Sequence, residues 1–186
     1  MGYSLQQDLA SSPNDGNSFG QGVNFLYEGY SFTSSSAYTL TQVGVGLEKM
    51  VGSPLTHPVT AYVYSDSGGS GPSALLGTST NTVSSTLTSS LVYYLFQFAG
   101  VALSSSTRYW IVLSVPLLDT SNYPIWEGLD GGAEGCYNSA AGTVWILNQA
   151  NIQGTMQLYS TSATGALIYE PVLDRGMLVG ASRGIF

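Results

Sequence analysis

Charged side chains are scarce in this 186-residue chain, in which Asp, Glu, Lys and Arg together make up 8% of the residues. A typical soluble domain carries about 25%. Helix surfaces normally use Glu, Lys, Arg and Gln, because these side chains lose little rotamer freedom there. Their scarcity, with abundant Ser, Thr, Val and Tyr and with 23 glycines, predicts strands joined by tight turns rather than helices.

Basic residues are especially few, with four against 11 acidic residues and a net charge of −7. Binding to nucleic acid or to an anionic membrane surface requires clustered Lys and Arg. We therefore expect no nucleic-acid partner and no membrane partner. The chain also shows no apolar run of about 18 residues, and its N-terminus lacks the pattern of a secretion signal. These features predict a chain that is made in a cytoplasm and stays soluble.

Cysteine and histidine each occur once, as Cys136 and His57. One cysteine cannot form an intramolecular disulfide, and zinc sites need several Cys or His ligands. We expect Cys136 to be a small apolar side chain near a turn and His57 to lie in an exposed loop. Neither a Gly-x-Ser-x-Gly elbow nor a phosphate-binding glycine motif occurs. The sequence therefore predicts no cofactor and no nucleophilic catalysis.

Three carboxylates lie close together in a glycine-rich segment, at Glu127, Asp130 and Glu134. Glycoside hydrolysis uses a carboxylate pair, but the pair needs a cleft and a pKa raised by burial. In such a segment we expect solvated turn residues instead. The spacing of acidic residues here and at 66–69 does not match a calcium-binding EF-hand loop. We therefore predict that the chain is not an enzyme and binds no metal.

Strand patterns recur along the chain at short intervals, separated by Gly and Pro. The strongest are Leu91–Phe98 and Tyr109–Val115. In each of them every second residue is apolar, and these residues share one face of the strand. This spacing predicts an all-β fold, a jelly-roll-like antiparallel β-sandwich with extended N- and C-terminal arms. The other predicted strands are Val23–Leu26, Tyr30–Phe32, Tyr38–Leu47, Val59–Tyr64, Leu75–Leu76, Thr143–Leu147 and Thr155–Tyr159.

The two strongest strands are apolar on both faces. The second faces carry Leu91, Tyr93 and Leu95 in one strand and Trp110 and Val112 in the other. A lone sandwich usually solvates the outer face of each sheet with polar side chains. We therefore expect these outer faces to be covered by another subunit, by the chain's own arms or by a long loop.

The termini differ from the middle of the chain, which suggests an N-terminal arm at 1–17, a sandwich domain at 18–164 and a C-terminal arm at 165–186. The C-terminal arm is more apolar than a disordered tail, so we expect it to dock on its own domain or on a neighbour. The residues predicted to bind a partner there are Tyr169, Met177, Leu178, Ile185 and Phe186.

Between roughly residues 25 and 160, a set of short segments occurs in a characteristic order: Glu28–Thr33, Tyr38–Val43, Ala61–Asp66, Pro72, Leu75–Leu76, Phe96–Phe98, Leu103, Thr107–Leu113, Tyr123–Trp126, Trp145 and Met156. This ordered set resembles the bacterial choice-of-anchor R domain family. The resemblance implies a jelly-roll-like sandwich displayed outside bacterial cells, with no assigned catalysis.

Two functions fit these observations. The first is a non-enzymatic structural protein of a virus particle, such as a capsid decoration or cement protein or a tail or fibre module. It would assemble as a homo-oligomer and bind a capsid or tail protein through its arms and apolar sheet face. The alternative is a secreted or surface-displayed carbohydrate-binding or adhesive module. In that case Tyr123 and Trp126, which lie near turn residues, are the candidate glycan-facing aromatics, with core packing as the competing interpretation.

Overall fold

A computed structural model describes residues 2–9, 15–18, 25–49, 57–84, 87–117, 119 and 123–161. These residues form strands joined by turns and loops, with no helix among them. The strands are β1 (Tyr3–Leu9), β2 (Asp15–Ser18), β3 (Tyr27–Thr33), β4 (Tyr38–Lys49), β5 (Thr60–Asp66), β6 (Pro72–Thr78), β7 (Val92–Leu103), β8 (Arg108–Ser114), β9 (Pro124–Ser139), β10 (Ile146–Gly154) and β11 (Met156–Thr161).

The strands form two packed antiparallel sheets. Sheet I has the order β1-β11-β4-β7, and sheet II has the order β6-β5-β8-β3-β9, with β10 paired to the far side of β9. Strand β9 joins the two layers, because its first residues pair with the end of β4 and its last residues pair with β3. The predicted all-β antiparallel sandwich is therefore confirmed. Jelly-roll connectivity, the finer part of that prediction, is not established by this strand order.

The core lies between the sheets and follows the period of two that the sequence shows. On β4, Val43, Val45 and Leu47 point inward and are fully buried, while Gly44 and Gly46 point outward. The facing residues of sheet II come from β3, β5 and β8. The largest fully buried core side chains include Tyr30, Phe32, Leu40, Phe96, Ile111, Leu113, Trp126 and Ile152.

The predicted glycine-rich turn around residues 127–134 is wrong, because these residues lie in β9, the longest strand. The close packing of β9 against β10 explains why glycine is used there. A Cβ atom at Gly128 would lie 2.9 Å from Ile152 Cδ1 and 3.2 Å from the carbonyl oxygen of Gln153. Glycine in β9 permits a close approach of two neighbouring strands and does not mark a turn.

The described parts of the predicted N-terminal arm at 1–17 are strands of the sandwich. Residues 3–9 form the edge strand β1, which pairs with β11, and β2 pairs with β9 beginning at Asp15. Pairing satisfies the backbone hydrogen bonds that a free arm would leave to water. The predicted C-terminal arm at 165–186 lies outside the described residues, as do its five candidate partner-binding residues.

Candidate functional site

Acidic and metal-ligating side chains do not converge in the described part of the chain. No three His, Cys, Asp or Glu side chains there are grouped so that they could hold a metal ion. Glu127 is half-buried and Asp130 is exposed, and their odd spacing in β9 directs them to opposite faces. Glu134 lies in the same strand. The three carboxylates therefore belong to a strand and not to the turn expected from the sequence.

One carboxylic acid lies inside the core, at Glu28 of β3. It is fully buried and lies opposite Asn138 of β9, while Tyr30 lies opposite Cys136 in the same register. Burial raises the pKa of the Glu28 carboxyl well above its ordinary value, and hydrogen bonding to Tyr30 and Cys136 offsets part of this rise. Neither carboxyl oxygen has a partner of good hydrogen-bond geometry. Glu28 is therefore a buried group that favours its neutral form.

Cys136 belongs to the same buried cluster. Burial raises the pKa of its thiol well above the ordinary value, and a negative charge on Glu28 would raise it further. The thiol donates a weak hydrogen bond to Asn138 Oδ1 at 3.7 Å. A buried thiol with a raised pKa is unreactive, because the thiolate is the nucleophile. The cluster of Glu28, Cys136 and Asn138 therefore has a structural character.

The two aromatics predicted to face a glycan are buried. Trp126 is fully buried, and its indole Nε1–H donates a hydrogen bond to the carbonyl oxygen of Thr155 at 3.1 Å. Its ring packs edge-on against Tyr30, with the ring centroids 4.7 Å apart. Tyr123 is 6% exposed. A sugar cannot stack on rings that are enclosed in this way, so a glycan-facing role does not fit either residue, and core packing accounts for both.

The part of the outer face of sheet II around Trp110 and Val112 is covered by the chain itself. Trp110 and Val112 of β8 are buried, although they point away from the core. Trp110 donates a hydrogen bond from Nε1 to Asp66 Oδ1 at 2.8 Å, and Tyr137 packs edge-on against its ring with the centroids 5.1 Å apart. Tyr137 also bonds to the carbonyl oxygen of Gly69 in the turn that follows β5. A loop of the same chain therefore covers this apolar face, one of the possibilities expected from the sequence.

The outer face of sheet I remains open. On β7, Leu91 at the strand entry and Leu95 are 37% and 45% exposed, and they lie over Gly46 and Gly44 of β4. Strand β1 at the other side of the sheet adds Leu5 to the same face, and its partner in β11 is Tyr159. We call this surface the open face. The other side chains that point outward from it are Tyr3, Asp8, Gln42, Glu48, Tyr93, Gln97, Gln157 and Thr161.

Two shallow cavities lie away from the open face. The first, of about 460 Å³, lies at the turn before β10 and is mainly apolar. The second, of about 580 Å³, contains Asp66 and Arg108, but the Asp66 carboxylate already accepts bonds from Trp110 and from the turn amides of Gly68 and Gly69. The first cavity is lined by Phe25, Ser139, Ala140, Ala141, Thr143, Val144 and Ile146.

Comparison with known proteins gives no relative from which a role could be transferred. No protein-family model matches the chain, and no curated protein matches it. The resemblance to the choice-of-anchor R family therefore stays a prediction. Among the described residues, no helix is long and apolar enough to cross a membrane.

Proposed function

We propose that this chain is a non-enzymatic structural protein of a virus particle, such as a capsid decoration or cement protein or a tail or fibre module. It contacts other subunits through the open face. The observation that carries the proposal is the exposure of Leu91 and Leu95, which lie over Gly46 and Gly44 on the outer face of sheet I. Exposed apolar patches bounded by polar side chains are typical of protein contact surfaces.

The composition of the open face suits burial. Its outward side chains are mostly Leu, Tyr and Gln, and Asp8 and Glu48 are the charged ones. Burying charged groups would cost free energy, whereas each leucine side chain moved out of water contributes about 1.5–3 kcal/mol. Leu91 and Leu95 lie over Gly46 and Gly44, so the two leucines and not the β4 backbone form the surface that a partner would meet. These features support a contact with a second copy of the chain or with a capsid or tail protein.

A pair of substitutions tests the role of the open face in assembly. We expect Leu91→Lys with Leu95→Lys to weaken self-association at least about a hundredfold, because two buried leucines are lost and two charges are introduced. The long lysine stems can still cover Gly44 and Gly46, so folding should be retained. Light scattering coupled to size-exclusion chromatography over a range of protein concentrations measures the effect.

A matched control uses the edge strand of the other sheet. Leu75→Lys with Leu76→Lys changes two leucines on β6 that are 52% and 42% exposed, and it should leave self-association unchanged. The proposed contact surface would be wrong if this control pair abolished association while the β7 pair did not. A wild-type chain that stays monomeric at every concentration would contradict the homo-oligomer.

The virion setting has a separate test. Quantitative mass spectrometry on density-gradient-purified particles of the encoding virus should find the chain at a fixed stoichiometry to the capsid or tail proteins. If the purified particles no longer contained the chain, a structural role in the particle would be contradicted. Recovery with the envelope of the host cell would instead favour the surface-displayed module.

A further inference from the structure

We propose that Tyr27, Tyr62, Tyr64 and Trp145, which we call the aromatic quartet, form a binding site for a quaternary ammonium group. The site lies on the outer side of sheet II, away from the open face, and it is independent of the proposed assembly role. The quartet is drawn from two strands and a turn, and each of the four rings is half-buried, so each keeps part of its surface in solvent.

The four aromatic side chains form a closed circuit, in which each packs against two others. The centroid distances are 6.3 Å for Tyr27–Tyr62, 6.4 Å for Tyr62–Tyr64, 6.0 Å for Tyr64–Trp145 and 6.4 Å for Tyr27–Trp145. A point at the middle of such a circuit lies within roughly 6 Å of every centroid, the range over which a cation is attracted to an aromatic face. The quartet therefore has the dimensions of an aromatic cage.

The angles between the rings distinguish a cage from a flat platform. Neighbouring planes differ by 44° to 79°, so the rings are inclined to one another instead of lying side by side. A sugar ring stacks on a flat aromatic surface, whereas inclined rings can direct their electron-rich faces toward one compact group. This geometry favours a small cation with several methyl groups over a glycan.

The charges around the quartet also favour a cation. None of the four side chains is basic, and the chain carries a net charge of −7. Asp66 lies two residues beyond Tyr64 on the same face of β5, so its carboxylate adds a negative charge nearby. Burial raises the pKa of the Tyr64 phenol, and the neighbouring phenols of Tyr27 and Tyr62 raise it further.

Two glycines hold the quartet in place. Gly71, with a φ of +107°, lies against Trp145, whose Cβ would be 3.1 Å from a Cβ added at that position. Gly142, with a φ of +71°, lies against the ring of Tyr27, which would be 3.2 Å away. Both turns therefore pack closely against the aromatic side chains, and only glycine adopts these backbone angles easily. The rings are arranged before any ligand arrives, which lowers the entropic cost of binding.

Calorimetric titration of the full chain with choline tests the proposal, with 3,3-dimethylbutanol as a neutral molecule of the same shape. We expect choline to bind about tenfold or more tightly than the alcohol, since only the cation gains from the ring faces. Trp145→Ala and Tyr64→Ala should each weaken choline binding about tenfold, and Trp145→Phe should restore part of it. Tyr3→Ala, which removes an exposed tyrosine from the open face of sheet I, should leave choline binding unchanged. Circular dichroism confirms that each variant is folded.

The remaining arms of the experiment identify the source of the cation and the competing outcomes. Phosphocholine and Nε-trimethyl-lysine are titrated separately, and whichever binds more tightly identifies a head-group or a modified side chain as the source. Equal binding of choline and the alcohol, or no binding of any of these cations, would overturn the proposal. Glycan binding that is lost in Trp145→Ala would replace it with a sugar-binding site.

Discussion

Trp126→Ala is expected to lower the free energy of unfolding by about 3–5 kcal/mol, a large part of the 5–15 kcal/mol typical of a folded domain. The substitution leaves a cavity at the point where β9 passes from one sheet to the other, and it removes the edge-on contact with Tyr30. It also removes the hydrogen bond to the carbonyl oxygen of Thr155. Urea denaturation followed by circular dichroism measures the change.

The environment of Thr155 explains why this site should be sensitive. Its backbone N–H donates to the carbonyl oxygen of Glu127, its own carbonyl oxygen accepts from the N–H of Gly46, and its hydroxyl bonds to Glu127. Trp126 therefore packs at a junction that ties β4 to β9 and β11. Trp145→Ala is the matched control, because the same side chain is lost from a half-buried position on the outer face and the cost should be smaller. An unfolding free energy of Trp126→Ala within about 1 kcal/mol of wild type would contradict the core role.

Glu28→Gln is expected to remove a pH dependence of stability that the wild-type chain shows above the ordinary pKa of a glutamate side chain. Because burial raises the pKa of Glu28 in the folded chain, the folded state holds more protons than the unfolded state between the two pKa values. Wild-type stability is therefore greatest below the unfolded-state pKa, and it falls as the pH rises toward the folded-state pKa. The slope can reach about 1.4 kcal/mol per pH unit for this one group.

The glutamine variant keeps the shape of the side chain but cannot ionise, so its stability should change little over this range. At the highest pH measured, the free energy of unfolding of Glu28→Gln should exceed that of the wild type. Ionisation of Tyr38 does not contribute near neutral pH, because burial raises the pKa of its phenol to about 12. Glu48→Gln removes one acidic group from a half-buried site in β4 and serves as the control. Parallel pH profiles for Glu28→Gln and wild type, measured by urea denaturation, would show that Glu28 does not govern the dependence.

The parts of the fold that could be predicted from sequence are the strands in which apolar residues recur at every second position. The inward faces of β7 and β8 follow directly from a period of two in apolar residues. Strand β8 lies within one residue of its predicted bounds, and β7 begins within one residue of its predicted start but continues to Leu103, five residues beyond the predicted end. The apolar second faces were also recognised, and the structure separates them. Trp110 and Val112 are covered by the chain's own loop, while Leu91 and Leu95 remain exposed.

The parts that could not be predicted depend on contacts between distant segments. Glycines made β9 resemble a turn, since nothing local to Gly128 indicates that Ile152 packs against it. The burial of Trp126 depends on Tyr30 and Thr155, which are far away in the sequence. The acidic residue Glu28 gives no local sign of being buried.

The aromatic quartet was missed for the same reason. Its members come from β3, β5 and the turn before β10, and only the pairing of strands β3 and β5 with β8 brings them together. The alternation of Tyr62 and Tyr64 was the one available signal, because it places both rings on one face of a strand. The faces of these strands had to be assigned before that signal could be used.

Hydrogen–deuterium exchange tests most directly the claim that the chain functions by burying the open face against a neighbour. The assembled wild-type chain would be compared with the monomeric Leu91→Lys, Leu95→Lys variant. Residues 92–97 of β7 and 157–161 of β11 should exchange more slowly in the assembled chain, while the turn at 140–145 should exchange equally in both. Equal exchange over β7 and β11, with protection gained on the sheet II side instead, would contradict the account.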